Sequence, residues 1–552
     1  MALQNVQPSG IDAGSSAPGE FRLTAEGESG PEPLMASDPA SSTDRPVSGP
    51  RSQSKSAEPA PHVLALPPTL RQILEHPDYA AVHADPLFFY QGPACLHSPL
   101  LIPGMETAVE ILKRVLDAAG HIVVLGDRDV DGVSSAALLG NFLRARMSAG
   151  RESGETDAGT LDLRVSDDGD DYGLSGDLFQ NILSGPADLV ILLDMGTSNG
   201  PEVQQLIERG KSVIILDHHM LHDRIPDPEL PNLAFANPMR DEAIVCALEH
   251  SGKIATVGLV FKLLMAYGRS CTNEWQRVFY AQSPGGALLA YRCGRYLGAF
   301  AGLQEGQAAY PQWSWHDLRG EYRFAPEELA VFDQAGQSID ADAAEGLALT
   351  AGKLVLAAIV RSRPRLLDFV QRSADLEAGG SITDLGPLRG DNRARVRLGI
   401  GQSGFPRRGE RPYSTGYGAL IVALGLPADR VVSRDLGWSI GPSLNAAGRM
   451  GNTKLALDLL TCGSGIEAEQ KAKKLARDLV RVNDERKKRT ARNDALVTKH
   501  FEEHPELLDQ PIVFCYHPDL EPGVSGIVAT RLVERYNKPV VYINPEGDKA
   551  KG

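Results

Sequence analysis

Three short runs of Val, Ile and Leu stand out in the hydrophobic pattern of the first half of the chain. They occupy residues 121–126, 188–194 and 212–217. Apolar residues recur at helical spacing in 106–119, and 201–210 predicts a crossover helix between the last two runs. Near-continuous apolar runs between helical segments are typical of buried parallel strands. We therefore predict an α/β fold with a parallel sheet and helices on both faces.

The C-terminal part of the chain shows two further patterns. Residues 466–503 are rich in Ala, Lys, Arg, Glu and Leu and contain no Gly or Pro, which predicts a long connecting helix. Beyond it, 512–516, 523–536 and 539–543 read as strand, helix and strand. They predict a second, smaller α/β unit.

Two stretches lack such periodicity. Residues 1–62 are rich in Ser, Pro, Gly, Ala and Glu, so they cannot bury enough apolar surface to fold. We expect a disordered tail, with a tether for a partner protein as the alternative. Residues 265–345 contain three of the four Trp and no clean period, and we interpret them as an insertion of unknown role.

Composition narrows the possible classes of protein. A chain of 552 residues predicts two to four domains, and a formal charge of −15 excludes a generic basic nucleic-acid coat. We find no apolar run of the roughly 18 to 20 residues that span a bilayer, and no signal pattern at the start. Six cysteines without a CxxC pair give no support for a zinc or disulfide framework and favour reduced thiols in a cytoplasm.

Carboxylates and imidazoles follow directly on each of the three predicted strands. They are Asp127, Asp129 and Asp131 after the first, Asp194 after the second, and Asp217, His218 and His219 after the third. Ligands of open parallel sheets bind beyond the carboxyl ends of the strands, so these side chains should converge. A single Asp directly after a strand is more often a turn former or a helix cap. Three acidic motifs at three strand ends are not readily explained in that way, so we interpret them as a functional site.

Converging carboxylates repel one another unless cations lie between them. Oxygen ligands together with imidazole suit Mn²⁺ or Mg²⁺, and two such ions about 3.5 to 4 Å apart can clamp a phosphoryl group. The residues themselves therefore predict two-metal hydrolysis of a phosphoester.

The order DxDxDG, DxG and DHH resembles the DHH phosphoesterase superfamily, and in particular its RecJ-like single-strand exonuclease branch. An Asp before an Asn-Arg pair is a further family motif, matched here by Asp384 with Asn392 and Arg393. Residues 441–450, GPSLNAAGRM, are similar to the RecJ-type PxLNAxGRM segment, and 523–532 to the start of the DHH-associated domain. The resemblance covers about 70–552, the insertion excepted.

The resemblance implies a division of the chain. It places a DHH catalytic domain at 63–415 with the insertion at about 265–345, a connecting segment and long helix at 416–503, and a partial, apparently truncated DHH-associated domain at 504–552.

The resemblance also implies roles for individual residues. The implied metal ligands are Asp127, Asp129, Asp194, His218 and Asp384. Asp194 is expected to bridge the two ions, and His219 to contact the scissile phosphate. Asp217 is expected to hold the His218 ring. Asp131 completes the expected catalytic set, although it could instead shape the turn.

Binding of substrate phosphate is expected from Arg449, Asn445 and Arg393, since guanidinium groups are always charged and planar. A surface salt bridge is the alternative for Arg449, and a helix cap for Asn445. Further basic residues could track the phosphates of a strand. They are Arg389, Arg395, Arg397, Arg407, Arg408 and Arg411, and, on the long helix, Lys471, Lys473, Lys474, Arg477, Arg481, Arg486, Lys487, Lys488, Arg489 and Arg492. For the helix, a solvated face with interspersed acids is the favoured alternative.

The implied reaction is 5′ to 3′ hydrolysis of single-stranded DNA to mononucleotides, in DNA repair and recombination, with repair or replication proteins as partners of the tail. Some features depart from the RecJ pattern. Acidic residues at 167–171 replace an expected Pro-Asn-Arg, and Glu521 or Pro522 replaces an expected His. The chain also ends before an expected glycine-rich loop and oligonucleotide-binding domain. Two alternatives therefore stay open: a phosphoesterase for short oligonucleotides or dinucleotides, and a catalytically silent replisome scaffold.

Overall fold

The structure is a computed structural model. It describes residues 96–152, 159–167, 173–174, 176–241, 254–324, 326–335, 350–359, 369, 372–400, 414–546 and 549–551. These residues belong to one unit of the chain, Pro59–Gly552. The predicted tail at 1–62, Arg407, Arg408 and Arg411 lie outside the described residues.

Five parallel strands form the central sheet, in the order β2-β1-β3-β4-β5. They are β1 (His121–Gly126), β2 (Thr160–Val165), β3 (Leu189–Leu193), β4 (Ser212–Leu216) and β5 (Leu233–Ala236). The three predicted strands are confirmed as β1, β3 and β4. The sequence pattern missed β2 and β5, which lie at the two edges of the sheet. β2 mixes charged with apolar residues, and β5 is only four residues long.

Helices cover both faces of this sheet, as predicted. They are α1 (Met105–Asp117), α2 (Val130–Glu152), α3 (Gly176–Ser184), α4 (Gly200–Glu208) and α5 (Thr256–Ser270). Strand side chains alternate between two separate cores, because successive residues of a strand point to opposite faces. Ile122 and Ile191 belong to the core formed with α1, α2 and α5. Val123 and Val190 belong to the core formed with α3 and α4.

A second sheet follows α5, in the order β8-β7-β6-β9. Its elements are β6 (Arg277–Gln282), β7 (Leu288–Arg292), β8 (Arg295–Phe300), α6 (Leu303–Ala309), β9 (Ser314–Asp317), α7 (Leu318–Glu321), α8 (Pro326–Ala335) and a helical segment at 350–359. It has its own core around Phe279, Tyr291 and Phe332. The second sheet begins at Arg277, and Met265 and Tyr267, near the expected start of the insertion at about 265, belong to the core of the main sheet.

A set of helices packs beside α2 and α5. They are α9 (Ala374–Thr383), α10 (Gly390–Gly399), α11 (Thr415–Ala423), α12 (Gly441–Arg449) and α13 (Thr453–Leu460). A short helical turn, Ser433–Asp435, and a π-helical turn, Leu436–Ile440, lead into α12.

The predicted long helix is α14 (Ile466–Glu503), whose 38 residues extend about 57 Å. Its first half contributes Ala472 and Leu479 to the core of the main sheet, and its second half contributes Val497 and Phe501 to a C-terminal core. The elements of that C-terminal unit are β10 (Val513–Tyr516), α15 (Ser525–Tyr536), β11 (Val540–Glu546) and β12 (Lys549–Lys551). β10 and β11 are parallel, so the predicted small α/β unit is confirmed.

Within the described part of the chain, no helix has the length and apolar character needed to cross a membrane. Four cysteines lie in the same ranges, and all four are free thiols: Cys271, Cys293, Cys462 and Cys515.

Candidate active site

The carboxyl ends of β1 and β3 lie side by side at the centre of the sheet. In a sheet of the order 2-1-3-4-5 the chain reverses its direction of winding between these two strands, and ligands bind in the crevice that this creates. The Asp127 N–H donates to the Leu193 carbonyl at 3.2 Å, and the Asp194 N–H donates to the Leu216 carbonyl at 3.0 Å. The sheet therefore brings both carboxylates to one crevice.

The loop after β1 is tightened by Asp129 and Gly132. The Gly132 N–H donates to Asp129 Oδ1 at 3.0 Å, which caps the start of α2. A Cβ on Gly132 would lie 2.5 Å from the Asp127 carbonyl oxygen, so a side chain does not fit there. Asp127 is half-buried and Asp129 is exposed. The turn-shaping role considered for Asp131 thus belongs to Asp129.

Asp131 is buried and holds the start of α5. Its Oδ2 accepts from the Thr256 N–H at 2.7 Å, and its Oδ1 from the Val257 N–H at 2.9 Å. A carboxylate is favourable at the N-terminus of a helix. Burial and the neighbouring charge of Asp194 nevertheless raise the pKa of Asp131 well above its ordinary value. Asp131 therefore belongs both to the helix cap and to the acidic crevice.

Asp194 occupies an unusual backbone conformation, with a φ of +63° that Asp tolerates better than most residues. Its Oδ1 accepts from the Thr256 hydroxyl at 3.1 Å and lies 3.3 Å from His218 Nε2. Burial and the charge of Asp129 outweigh the effect of His218 and raise the pKa of Asp194 to about 8. The sequence interpretation missed Thr256, which lies 62 residues from Asp194.

His218 lies at the centre of the carboxylates. Its Nε2 is 3.8 Å from Asp131 Oδ2, and its Nδ1 is 3.8 Å from Asp384 Oδ2, at the C-terminal end of α9. Burial lowers the pKa of His218, but the bond to Asp194 and the surrounding negative charges outweigh it and raise the pKa to about 10. The carboxylates around His218 therefore stabilise its protonated form.

Asp217 pairs with His219, not with His218 as expected from the resemblance. Asp217 Oδ1 lies 2.7 Å from His219 Nδ1, whereas it meets His218 only through the backbone N–H at 2.8 Å. The chain turns directly after β4, and this turn brings the His219 ring back onto the carboxylate. Burial opposes ionisation of Asp217, but the bonds from His219 and Thr197 lower its pKa to about 2. The same pairing raises the pKa of His219, which is half-exposed.

A buried Asn237 fixes the loop that carries the two imidazoles. Its Nδ2 donates to the Thr197 hydroxyl at 3.1 Å and to the His219 carbonyl at 3.0 Å. The Thr197 N–H donates in turn to Asp217 Oδ2 at 3.0 Å. Neither Thr197 nor Asn237 was predicted. Asn237 is nevertheless a polar residue that directly follows a strand, as the predicted site residues do.

The structure brings part of the expected set of metal ligands together. Ligand atoms of Asp194, His218 and His219 lie within 4.8 Å of one another, as do those of Asp131, His218 and Asp384. Asp127 and Asp129 are not in these two groups. They stand close enough for Asp129 to raise the pKa values of Asp127 and Asp194 by its charge.

These residues fit divalent cations. The donors are carboxylate oxygens and imidazole nitrogens, which suit Mn²⁺ or Mg²⁺. Mutual repulsion and burial raise the pKa values of Asp131 and Asp194, and positive charge would relieve both effects.

The α12 helix lies directly against the loop that follows β1. Asn445 Oδ1 accepts from the Val130 N–H at 3.1 Å, so this side chain caps α2, the second of its two expected roles. A Cβ on Gly448 would lie 2.7 Å from the Arg128 carbonyl oxygen, which shows how closely the two segments approach. Gly448 and Asn445 thus dock the LNAAGRM segment on the acidic crevice.

Arg449, at the end of α12, lies near other arginines, since a Cβ on Gly523 would come within 4 Å of both the Arg449 carbonyl oxygen and Arg489 Nη1. Arg449 is exposed, and its charge and that of Arg531 add to burial in lowering the pKa of Arg486. We call Arg449, Arg486 and Arg531 the arginine cluster. It brings together residues of α12, α14 and α15.

One basic residue that was expected to follow the DNA strand is instead buried in the protein. Arg395 is fully buried, with its Nε 2.7 Å from Glu377 Oε1, because α10 packs its charged face against α9. Arg393 is half-buried and Arg389 is exposed. On α14, Arg481 pairs with Asp478 at 3.1 Å and Lys487 with Asp484 at 3.1 Å. These pairs match the solvated face that was the favoured alternative.

Two residues that depart from the family pattern, Asp167 and Glu521, bind other parts of the protein. Asp167 Oδ1 accepts from the Thr453 N–H at 2.8 Å, so this carboxylate caps α13. The other acidic residues of that patch lie outside the described residues. Glu521 binds Arg492 at 2.7 Å and Arg489 at 3.2 Å and joins the C-terminal unit to α14.

The family match and the two relatives described here agree with one another. Residues 121–281 match the N-terminal domain of the DHH family. The chain is 28% identical over 452 residues to the single-stranded-DNA-specific exonuclease RecJ of Dickeya dadantii. It is 24% identical over 498 residues to the protein of the same name from Bacillus subtilis.

These alignments cover 81% and 89% of this chain, but 59% and 46% of the two relatives. The chain therefore spans about half to three-fifths of their length. Among solved structures, that of exonuclease RecJ bound to manganese matches with a TM-score of 0.50 and 21% identity over 80% of each chain. This likeness supports the fold.

Proposed function

We propose that this chain, which contains a DHH-family domain and is homologous to the RecJ exonucleases, is a metal-dependent phosphodiesterase that removes nucleotides from the 5′ end of single-stranded DNA. The observation that carries the proposal is the meeting of Asp131, Asp194 and Asp384 around His218 at the winding reversal of the sheet. The relatives' name supplies the substrate class.

Divalent cations, Mn²⁺ or Mg²⁺, would be held by Asp194, His218 and Asp384, with Asp127, Asp129 and Asp131 beside them. When bound, such ions supply positive charge that polarises the phosphoryl group and favours deprotonation of an attacking water. Thr256 and the N-terminus of α5 keep Asp194 and Asp131 in place through the bonds described above.

His219 has a different role in this proposal. Asp217 fixes its ring and stabilises its protonated form, and its Nε2 is the ring nitrogen not bonded to Asp217. It would therefore donate a hydrogen bond to the scissile phosphate and a proton to the departing oxygen. The arginine cluster, with Arg393 as a further candidate, would bind phosphates of the strand.

We extend the proposal to the organisation of the chain. The main sheet and α9–α10 would form the catalytic domain, with the second sheet as an insertion in it. α14 would connect it to a DHH-associated domain that begins near 504. We also propose a cytoplasmic role in DNA repair or recombination, as the resemblance implies, with protein partners bound through residues 1–62.

One assay tests the proposed function. The purified full chain is incubated with Mn²⁺ and, separately, 5′-labelled single-stranded DNA, a dinucleotide and duplex DNA. We expect mononucleotides from the single strand, with loss of product in Asp194→Asn. Asp177→Asn, at an exposed acid in the first turn of α3, is the matched control and should retain activity.

The other outcomes decide between the alternatives. Cleavage of the dinucleotide alone would replace the exonuclease with a small-substrate phosphoesterase. Absence of turnover with Mn²⁺ bound would favour the silent scaffold.

A further inference from the structure

Two large apolar side chains beside the candidate active site are exposed to solvent. Leu385 is 86% exposed and Trp438 is 80% exposed, among the highest values for large apolar residues in the described ranges. Leu385 directly follows Asp384, whose carboxylate lies 3.8 Å from His218, and it adopts a φ of +59°. A side chain so placed stands at the rim of the acidic crevice.

Trp438 is held near the same rim by the π-helical turn Leu436–Ile440. A Cβ on Gly437 would lie 3.4 Å from Ile382 Cγ2, and one on Gly441 would lie 2.2 Å from Thr383 Cγ2. Ile382 and Thr383 form the last turn of α9, directly before Asp384. The turn that carries Trp438 therefore packs on the segment that carries Asp384 and Leu385.

The exposure of Trp438 is not caused by a loose segment. Leu436 and Ile440, at the two ends of the π-helical turn, are 2% and 0% exposed and belong to the core of the main sheet. The turn is thus anchored on both sides while the indole between its ends faces water. π-helical turns occur frequently at functional sites.

Charge indicates which kind of ligand would cover this surface. The helix that begins after the π-helical turn, α12, ends at Arg449 of the arginine cluster, about 16 Å along the helix axis from Trp438. Between the two, Asn445 and Gly448 hold α12 against the loop of Asp127 and Asp129. Apolar surface next to Asp384 and a guanidinium group next to the loop of Asp127 and Asp129 thus both border the crevice.

We propose that Trp438 and Leu385 form an apolar ledge on which unpaired nucleobases of a bound DNA strand stack, while the arginine cluster binds its phosphates. The inference rests on the proposed function and adds to it a base-binding subsite. Proteins that bind single strands commonly combine a basic track with aromatic platforms, since every base has a stacking face. Bases of a duplex are already stacked in pairs, so the ledge would also select single strands.

Binding without turnover gives the first test. An oligothymidylate is titrated, in the absence of divalent metal, into wild type and Trp438→Phe while tryptophan fluorescence is recorded. The other three tryptophans, Trp275, Trp313 and Trp315, are buried or half-buried in the second sheet or next to it. We expect quenching in wild type that is lost in Trp438→Phe, with affinity nearly retained. Equal quenching in both would overturn the ledge.

Kinetics give the second test, because the loss of stacking should weaken binding and leave the chemical step alone. Trp438→Ala should raise KM for single-stranded DNA about tenfold with kcat unchanged, and Trp438→Phe should restore most of the loss. Ile466→Ala is the matched control. Ile466 is 76% exposed at the start of α14, about 30 Å along that helix from Arg486, and its loss should change neither constant.

Substrates without bases separate stacking from other effects. Wild type should lose affinity about tenfold for an oligonucleotide with abasic sites near its 5′ end, and Trp438→Ala should lose nothing further. An equal loss of affinity in wild type and Trp438→Ala would overturn the proposal. It would favour a protein partner as the ligand of the ledge. If wild type binds oligothymidylate with quenching but hydrolyses no substrate, the proposed function fails while the ledge stands.

Discussion

Within the described residues, two dense groups of charged side chains can be compared, and they differ in their balance of charge. One is the acidic crevice at the ends of β1 and β3. The other, which we call the buried ion-pair cluster, consists of Lys262, Glu377, Asp391 and Arg395. In it, Lys262 Nζ lies 2.5 Å and an Arg395 nitrogen 3.0 Å from Asp391 Oδ2, and Arg395 Nε lies 2.7 Å from Glu377 Oε1.

The buried ion-pair cluster supplies its own counter-charges, with Lys262 and Arg395 beside Asp391 and Arg395 beside Glu377. Burial opposes ionisation of Asp391, but Lys262 and Arg395 hold the pKa of Asp391 well below its usual range. In the crevice, by contrast, burial and neighbouring carboxylates raise the pKa values of both Asp131 and Asp194, whereas in the buried ion-pair cluster burial raises the pKa of Glu377 against the opposing charge of Arg395. Buried charged side chains alone therefore do not indicate a metal site. An excess of buried carboxylates over cationic side chains, as in the crevice, does.

The two groups share the same helices. Lys262 lies on α5, whose first residue bonds Asp194, and Glu377 lies on α9, which ends at Asp384. The buried ion-pair cluster therefore fixes the two helices that carry residues into the crevice.

Removing one charge from the buried ion-pair cluster should have the largest effect on folding. Asp391→Asn leaves Lys262 and Arg395 with fewer counter-charges in the core, so we expect a loss of about 3 to 5 kcal/mol in the free energy of unfolding. Urea denaturation measures it. The matched control is Asp458→Asn, which breaks the exposed pair with Lys454 at 2.7 Å and should cost less than about 1 kcal/mol. Equal losses would remove the distinction between the groups.

Lowering the pH should reduce the difference in unfolding free energy between wild type and Asp391→Asn. The pKa of Asp391 is lower in the folded than in the unfolded chain, so its contribution is present above about pH 4 and is lost as pH falls below it, because the unfolded chain binds the proton first. The gap in unfolding free energy between wild type and Asp391→Asn should therefore narrow on going from about pH 5 to pH 3. A gap that stays constant would show that the charge of Asp391 contributes nothing.

The smallest effect is expected where the crevice meets α12. Asn445→Ala removes a helix cap from α2 and should cost about 1 kcal/mol in unfolding free energy. Asn445→Asp retains an acceptor for the Val130 N–H and should recover most of it. If Asn445 instead bound substrate phosphate, the Ala variant would raise KM for DNA with no change in stability.

The parts of this fold that follow from the sequence are those set by local patterning. The apolar runs of β1, β3 and β4 alternate with helices, so the parallel sheet and the convergence of the acids at its edge could be predicted. The long helix also follows, since its composition lacks Gly and Pro. The second sheet could not be predicted, because its strands mix charged, polar and aromatic residues with apolar ones and pack on an independent core.

What the sequence could not reveal depends on contacts between distant segments. Thr256 reaches Asp194 across 62 residues, and no local pattern marks that bond. Arg395 lies in an arginine-rich segment that the sequence predicts to track the phosphates of a strand, yet it is buried against Glu377. The partner of Asp217 depended on which of two adjacent rings the turn after β4 brings back to it.

The central claim is that the acidic crevice, unlike the buried ion-pair cluster, requires added cations. Titration of metal-free protein with Mn²⁺ by isothermal calorimetry tests it directly. We expect wild type to bind two ions per chain, as a two-metal site requires, and Asp194→Asn to lose at least one, with Asp177→Asn as wild type. Equal Mn²⁺ uptake by wild type, Asp194→Asn and His218→Ala would contradict the account.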